Sequence, residues 1–246
     1  MERLTKILVG LTAGMTFLIA LRIFLRIYES YLLFPIFFVV IGYILYKEMI
    51  RHKQIKIHPA IVEHIIPWII IISIALFFVG QGMNFSANDI SFELQGASQT
   101  LKNLVYFYDE VFSHKMMYIG LFGLFLAGIL LQISRPFKLK MHADDEIALG
   151  VCGVLYGLGL GTSLIEGNSA YAGLIASIIF IPALILHHQK HALKVVIRHY
   201  PLNYFLALTC ITILMFFALY YIYYGSFIEL SDIICAKGYT SACVYQ

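Results

Sequence analysis

The residues prescribe an all-α, polytopic membrane protein of seven transmembrane helices, with its N-terminus cytoplasmic and its C-terminus external. Composition, the length of the apolar runs and the placement of positive charge carry that expectation. Of 246 residues, 61% are hydrophobic, 15% aromatic and 13% charged, and the mean hydropathy is +0.84. A soluble domain carries about 25% charged residues, so half that share leaves too little polar material to cover a globular surface. A soluble enzyme is excluded. A net charge of +3 spread between hydrophobic runs makes no concentrated basic face, so nucleic acid is excluded as a partner and membrane lipid is expected as the solvent.

A bilayer core about 30 Å thick takes about 20 mainly apolar residues of helix. Thr5–Tyr28 is long enough to span and lacks a small-residue cleavage pattern after it, so it serves as its own insertion signal. Tyr31–Met49 and Ile61–Gly82 follow, and Met83–Asn103 is expected as the longest external loop. Leu104–Ile133 exceeds one span, so it either begins outside the membrane as Leu101–Tyr108 or tilts strongly. Ile147–Ile165 carries Gly150, Gly153, Gly157, Gly159 and Gly161, and the Gly153/Gly157 pair is a GxxxG that permits close helix approach. No GKS or GKT follows it, so it is packing and not a phosphate loop. Ala170–His187 contains Pro182, which predicts a kink. Tyr204–Tyr224 ends in Tyr220, Tyr221, Tyr223 and Tyr224, an aromatic belt at the headgroups. No sustained period-two alternation appears, and lipid leaves only helices or closed barrels.

Orientation follows from Lys and Arg in the short loops. On the N-terminal side stand Arg3, Lys6, Lys47, Arg51, Lys53, Lys56, Arg135, Lys138, Lys140, Lys190, Lys194 and Arg198; the opposite loops offer Lys102 and Lys237. That asymmetry puts the N-terminus in the cytoplasm. Seven crossings then leave the tail outside, where Cys235 and Cys243 are close enough to form a disulfide, whereas Cys152 and Cys210 sit in apolar runs as packing residues. With no repeat and no long linker, residues 1–226 form one seven-helix transmembrane domain and 227–246 a short external tail, in which Ile228, Leu230 and Ile233 suit a short interfacial helix.

Ionisable groups at membrane depth ask for a partner or a purpose. Arg22 and Arg26 share one face near the external end of the first span; Asp109, Glu110 and His114 open the fourth, Glu166 and Asn168 mark an external turn, and Asn84, Asn88, Asp89 and Glu93 follow the third. One reading pairs Arg22 and Arg26 with Asp109, Glu110 or Glu166 as structural ion pairs. The other makes Asp109, Glu110, His114 and Glu166 ligands of a divalent metal ion, with Asp109, Glu110 and His114 as catalytic candidates. With one imidazole among oxygens, Ca²⁺, Mg²⁺ or Mn²⁺ suits that set better than copper or zinc. A second metal candidate combines the HxxxH pair His187 and His191 with His142, at the cytoplasmic end; interfacial histidines are the alternative there. Asn84-Phe85-Ser86 matches the N-glycosylation pattern.

The stretch Gly80-Gln81-Gly82-Met83-Asn84-Phe85-Ser86, with Tyr108-Asp109-Glu110 opening the next helix, resembles the alkaline ceramidase and progestin-receptor-like superfamily of seven-helix membrane hydrolases. The resemblance covers under a fifth of the chain. It implies a zinc held by Ser, His and Asp of this region with a later HxxxH, and a bound water that attacks an amide. Ser86 stands where a ligand His is expected, the loop before Asp109 is longer, and His187/His191 fall at the opposite membrane face, so the implied site is altered or lost. No complete nucleophile, redox or cofactor motif is present. The first expectation is therefore a non-catalytic or accessory subunit contacting other membrane subunits. A metal-dependent hydrolase of a lipid amide or ester is the alternative, and a small transporter a further one.

Overall fold

A computed structural model of the chain describes residues 2–25, 30–50, 61–94, 96–134, 142–188, 199–229 and 233. The elements are α1 (Glu2–Leu25), α2 (Ser30–Ile50), a π turn at Ile61–Ile65 leading into α3 (Ile66–Glu93), α4 (Gln99–Tyr106), a π segment (Phe107–Ser113), α5 (His114–Ser134), α6 (Ala143–Glu166), α7 (Ala170–His188) and α8 (Pro201–Tyr224). No strand occurs among the described residues. Four helical stretches are long and apolar enough to cross a membrane: Glu63–Ser91, Gln99–Ser134, Ala143–Glu166 and Pro201–Tyr224. Among the described residues the elements are thus all helical, and their length and composition are those of a helical membrane protein.

Local chemistry sets the helix ends. Proline opens α8, where its missing N–H and fixed φ cost nothing. Ser98 has extended backbone and its hydroxyl accepts the Leu101 N–H, capping α4. The N-terminus of α8 also takes a cap from another helix: the Asn203 N–H donates to Gln132 Oε1 of α5 at 2.7 Å. Asp144, Asp145 and Glu146 complement the dipole in the first turn of α6. Gly225, at φ 74°, terminates α8 with its N–H on Tyr221 O.

The third helix departs from expectation. Met83–Glu93 is helical and not loop, leaving only five residues, Leu94–Ser98, between α3 and α4. The polar residues that suggest a loop line one helix face and turn inward: Asn84 is buried, Asn88 Nδ2 donates to Asn84 O at 2.9 Å, and Ser91 donates to Asn88 O. Likewise Gln99–Ser134 runs on as one long helical stretch.

Two close seams hold the bundle. A methyl group at Gly153 would stand 2.9 Å from Phe205 O, and one at Gly157 2.8 Å from Thr209 O, so the GxxxG packs α6 on α8 backbone to backbone. The same closeness joins α3 to α5, where a methyl at Gly80 would meet Ser113 O at 2.6 Å and one at Gly120 would meet Phe77 N at 2.7 Å. Leu149, Leu164, Ile165, Phe205, Ile213 and Phe217 form the deepest packing of α6 and α8. At the end of the bundle holding the start of α1, an apolar cavity of about 370 Å³ opens between α1, α2, α3, α5, α6 and α8.

Candidate functional site

Asp109 is fully buried although it is an acid in a largely apolar bundle. The end of α3 supplies its donors: Asn84 Nδ2 at 2.9 Å and Asn88 Nδ2 at 3.1 Å, both to Asp109 Oδ1. Asn84 and Asn88 stand one turn apart, so both amides face the π segment. Wide π turns are characteristic of functional or strained places in helices. Here Ser113 Oγ donates to the Asp109 carbonyl, and His114 Nδ1 lies 3.0 Å from the Glu110 carbonyl, so side chains reach two main-chain acceptors of the wide turn.

The hydrogen bonds assign the imidazole tautomer. Asn84 Nδ2, a donor, lies 3.3 Å from His114 Nε2, so Nε2 accepts. The proton is then on Nδ1, which faces Glu110 O and, at 3.4 Å, Glu110 Oε2. Asn84 Nδ2 thereby stands between the carboxylate and the imidazole, and the tautomer with its proton on Nδ1 gives both amide protons an acceptor. The ring rests on the α6–α7 turn, where a methyl at Gly167 would meet His114 Cγ at 2.9 Å. It also stacks on Tyr118, whose hydroxyl donates to Ser163 O at 2.6 Å. Asn168 follows Gly167 at φ 45°, and Ser169 Oγ donates to Gly167 O, which shapes this turn.

The structure therefore gathers Asp109, Glu110 and His114 at the end of α3 and beside the end of α6, where the half-buried Glu166 lies. Among the described residues, no group of three or more His, Cys, Asp or Glu side chains is placed to hold a metal ion. The carboxylate partners found are Asn84 and Asn88, which the sequence analysis treated as polar loop residues. Their signal was the four-residue spacing at the end of an apolar helix. Asn84 is also a buried helical residue with its amide engaged, unlike a loop acceptor for a glycan. Ser86, one of the residues behind the family resemblance, is exposed on α3.

The remaining candidates lie elsewhere. Arg26, His191, Cys235 and Cys243 are outside the described residues, as are the side chains of Arg22 and His187, so the proposed ion pairs, disulfide and HxxxH pair are too. His142 is exposed at the start of α6, about 36 Å of helix away from Glu166. The backbone of His187 is near the far end of α7, which begins beside the Gly167 turn. No protein-family model matches the chain, and no curated protein or solved structure is significantly similar to it.

Proposed function

We propose that this protein is a seven-span integral membrane protein, N-terminus cytoplasmic, acting as a non-catalytic subunit of a membrane complex, with the Asp109 cluster as an internal clasp. The observation carrying this reading is the inward commitment of the cluster. Two amides meet Asp109 Oδ1, and the one imidazole lone pair, on Nε2, is turned to Asn84. A general base or metal ligand needs that lone pair directed at a reacting atom or ion. Helices at all seven apolar segments support the span count, and the Lys/Arg asymmetry supports the orientation. Exposed Ile175, Ile179, Met215, Leu219 and Ile222 on α7 and α8 offer a surface to lipid or to other membrane subunits.

A metal-dependent hydrolase of a lipid amide or ester is the second reading, favoured by the π segment that carries Asp109. Metal content by mass spectrometry on protein purified in mild detergent separates the two, beside an Asp109→Asn/His114→Ala variant. The clasp reading expects substoichiometric metal in both, earlier thermal unfolding of the variant, and a parent protein that elutes with other polypeptides in fixed ratio. Near-stoichiometric metal that disappears in the variant overturns it in favour of the hydrolase, and a parent protein eluting alone overturns the subunit role.

A further inference from the structure

We propose that the apolar cavity at the N-terminal end of the bundle binds one acyl chain of an anionic phospholipid, with the lipid phosphate at Lys47. The inference rests on the membrane placement of the helices and not on the subunit role.

The walls come from several helices and are apolar, with Leu8, Phe77, Leu121, Phe125, Leu202 and Leu206 among them. The hydroxyls of Tyr43, Tyr46 and Tyr156 are the side-chain polar groups among these walls, and about 370 Å³ lies within the range of small-ligand sites. The mouth is lateral. Tyr43 of α2 and Ile71 and Phe78 of α3 line the cavity yet are 63%, 54% and 41% exposed, so the space opens between two helices towards their hydrocarbon surroundings.

The level of the cavity selects the leaflet. Its lining comes from the first halves of α1, α3 and α8 and the later parts of α2 and α5, with Tyr156 midway along α6, in the half of the bundle opposite Asp109. Trp68, 63% exposed in the first turn of α3, suits the membrane interface at that level. Lys47 is exposed, lies in the last turn of α2, and stands four residues beyond Tyr43 on the same face. It is thus about 6 Å along the axis from the mouth, towards the aqueous end. A chain inserted past Tyr43 leaves its phosphate at this ammonium, and a lysine so placed favours an anionic over a zwitterionic lipid.

Gly42 supplies the test, because it lines the cavity and a methyl group there meets nothing within 4 Å. Gly42→Phe starts from a Cβ in open space and replaces a poor helix former, and the thermal midpoint reads whether the fold is retained. The full chain is reconstituted in phosphatidylcholine vesicles carrying a trace of phosphatidylglycerol, or of phosphatidylcholine, with a diazirine near the end of one acyl chain. Retention after an alkaline wash reports membrane placement separately. After irradiation, label is expected on peptides covering residues 70–78 and 121–131, and lost from them in Gly42→Phe while the thermal midpoint does not fall. Phosphatidylglycerol is expected to label the parent about fivefold better, and Lys47→Gln to abolish that preference. Labelling unchanged by Gly42→Phe, or equally strong on the exposed α7 face at Ile175 and Ile179, overturns the cavity site. Equal labelling by the two headgroups in the parent overturns the assignment of the phosphate to Lys47.

Discussion

A side-chain amide has two protons, and at Asn84 both have acceptors, Asp109 Oδ1 at 2.9 Å and His114 Nε2 at 3.3 Å. Replacing it with leucine keeps the bulk but removes both bonds, leaving a buried carboxylate with one fewer donor and an imidazole lone pair facing carbon. Asn84→Leu is expected to cost about 2–3 kcal/mol, and Asn88→Leu, whose amide does not reach the imidazole, about 1 kcal/mol less. Thermal unfolding in detergent reads both, and a smaller loss for Asn84→Leu than for Asn88→Leu would refute the larger role given to Asn84. Asp109, Glu110 and His114 were legible as a polar group because they interrupt apolar sequence four and five residues apart. Asn84 was not legible as their partner. The contact joins positions 25 and 30 residues apart, and Asn84-Phe85-Ser86 by itself suggests a surface loop.

Among the elements, α3 shows how far polarity alone misleads. Its last three turns hold Asn84, Asn88 and Ser91, which the sequence analysis read as loop, yet these residues face the π segment and keep the chain helical to Glu93. The apolar runs were legible because a bilayer demands their length, and Gly153/Gly157 because its spacing is local. The Gly80–α5 seam was hidden, since a lone glycine does not reveal which backbone approaches it. That seam is expected to be sensitive. Gly80→Ala drives a methyl against Ser113 O and Met117 N, main-chain atoms that cannot step aside, and should cost about 1–3 kcal/mol. Gly82→Ala, two residues on, meets nothing within 4 Å in an exposed helix interior and should gain about 0.5–1 kcal/mol. Unfolding midpoints that move the same way for both would refute the close approach of α3 to α5.

For the whole molecule, the proposed seven-span topology predicts that the short α3–α4 connection is external. A cysteine at Ser98 is expected to react with an impermeant maleimide on intact cells, and one at Gln54 only after permeabilisation; the reverse pattern would invert the orientation. The cavity was beyond sequence reading, because apolar residues facing lipid, a neighbouring helix or an empty space share one composition. The buried acid also bears on how the chain is made. An unaccompanied aspartate within a single inserting helix is costly. Asn84 and Asn88 precede Asp109 by 25 and 21 residues, so synthesis delivers the donors before the acid that needs them. The five-residue connection then keeps α3 next to the α4–α5 stretch in sequence, so the hydrogen bonds that solvate the carboxylate are made within a single helical hairpin.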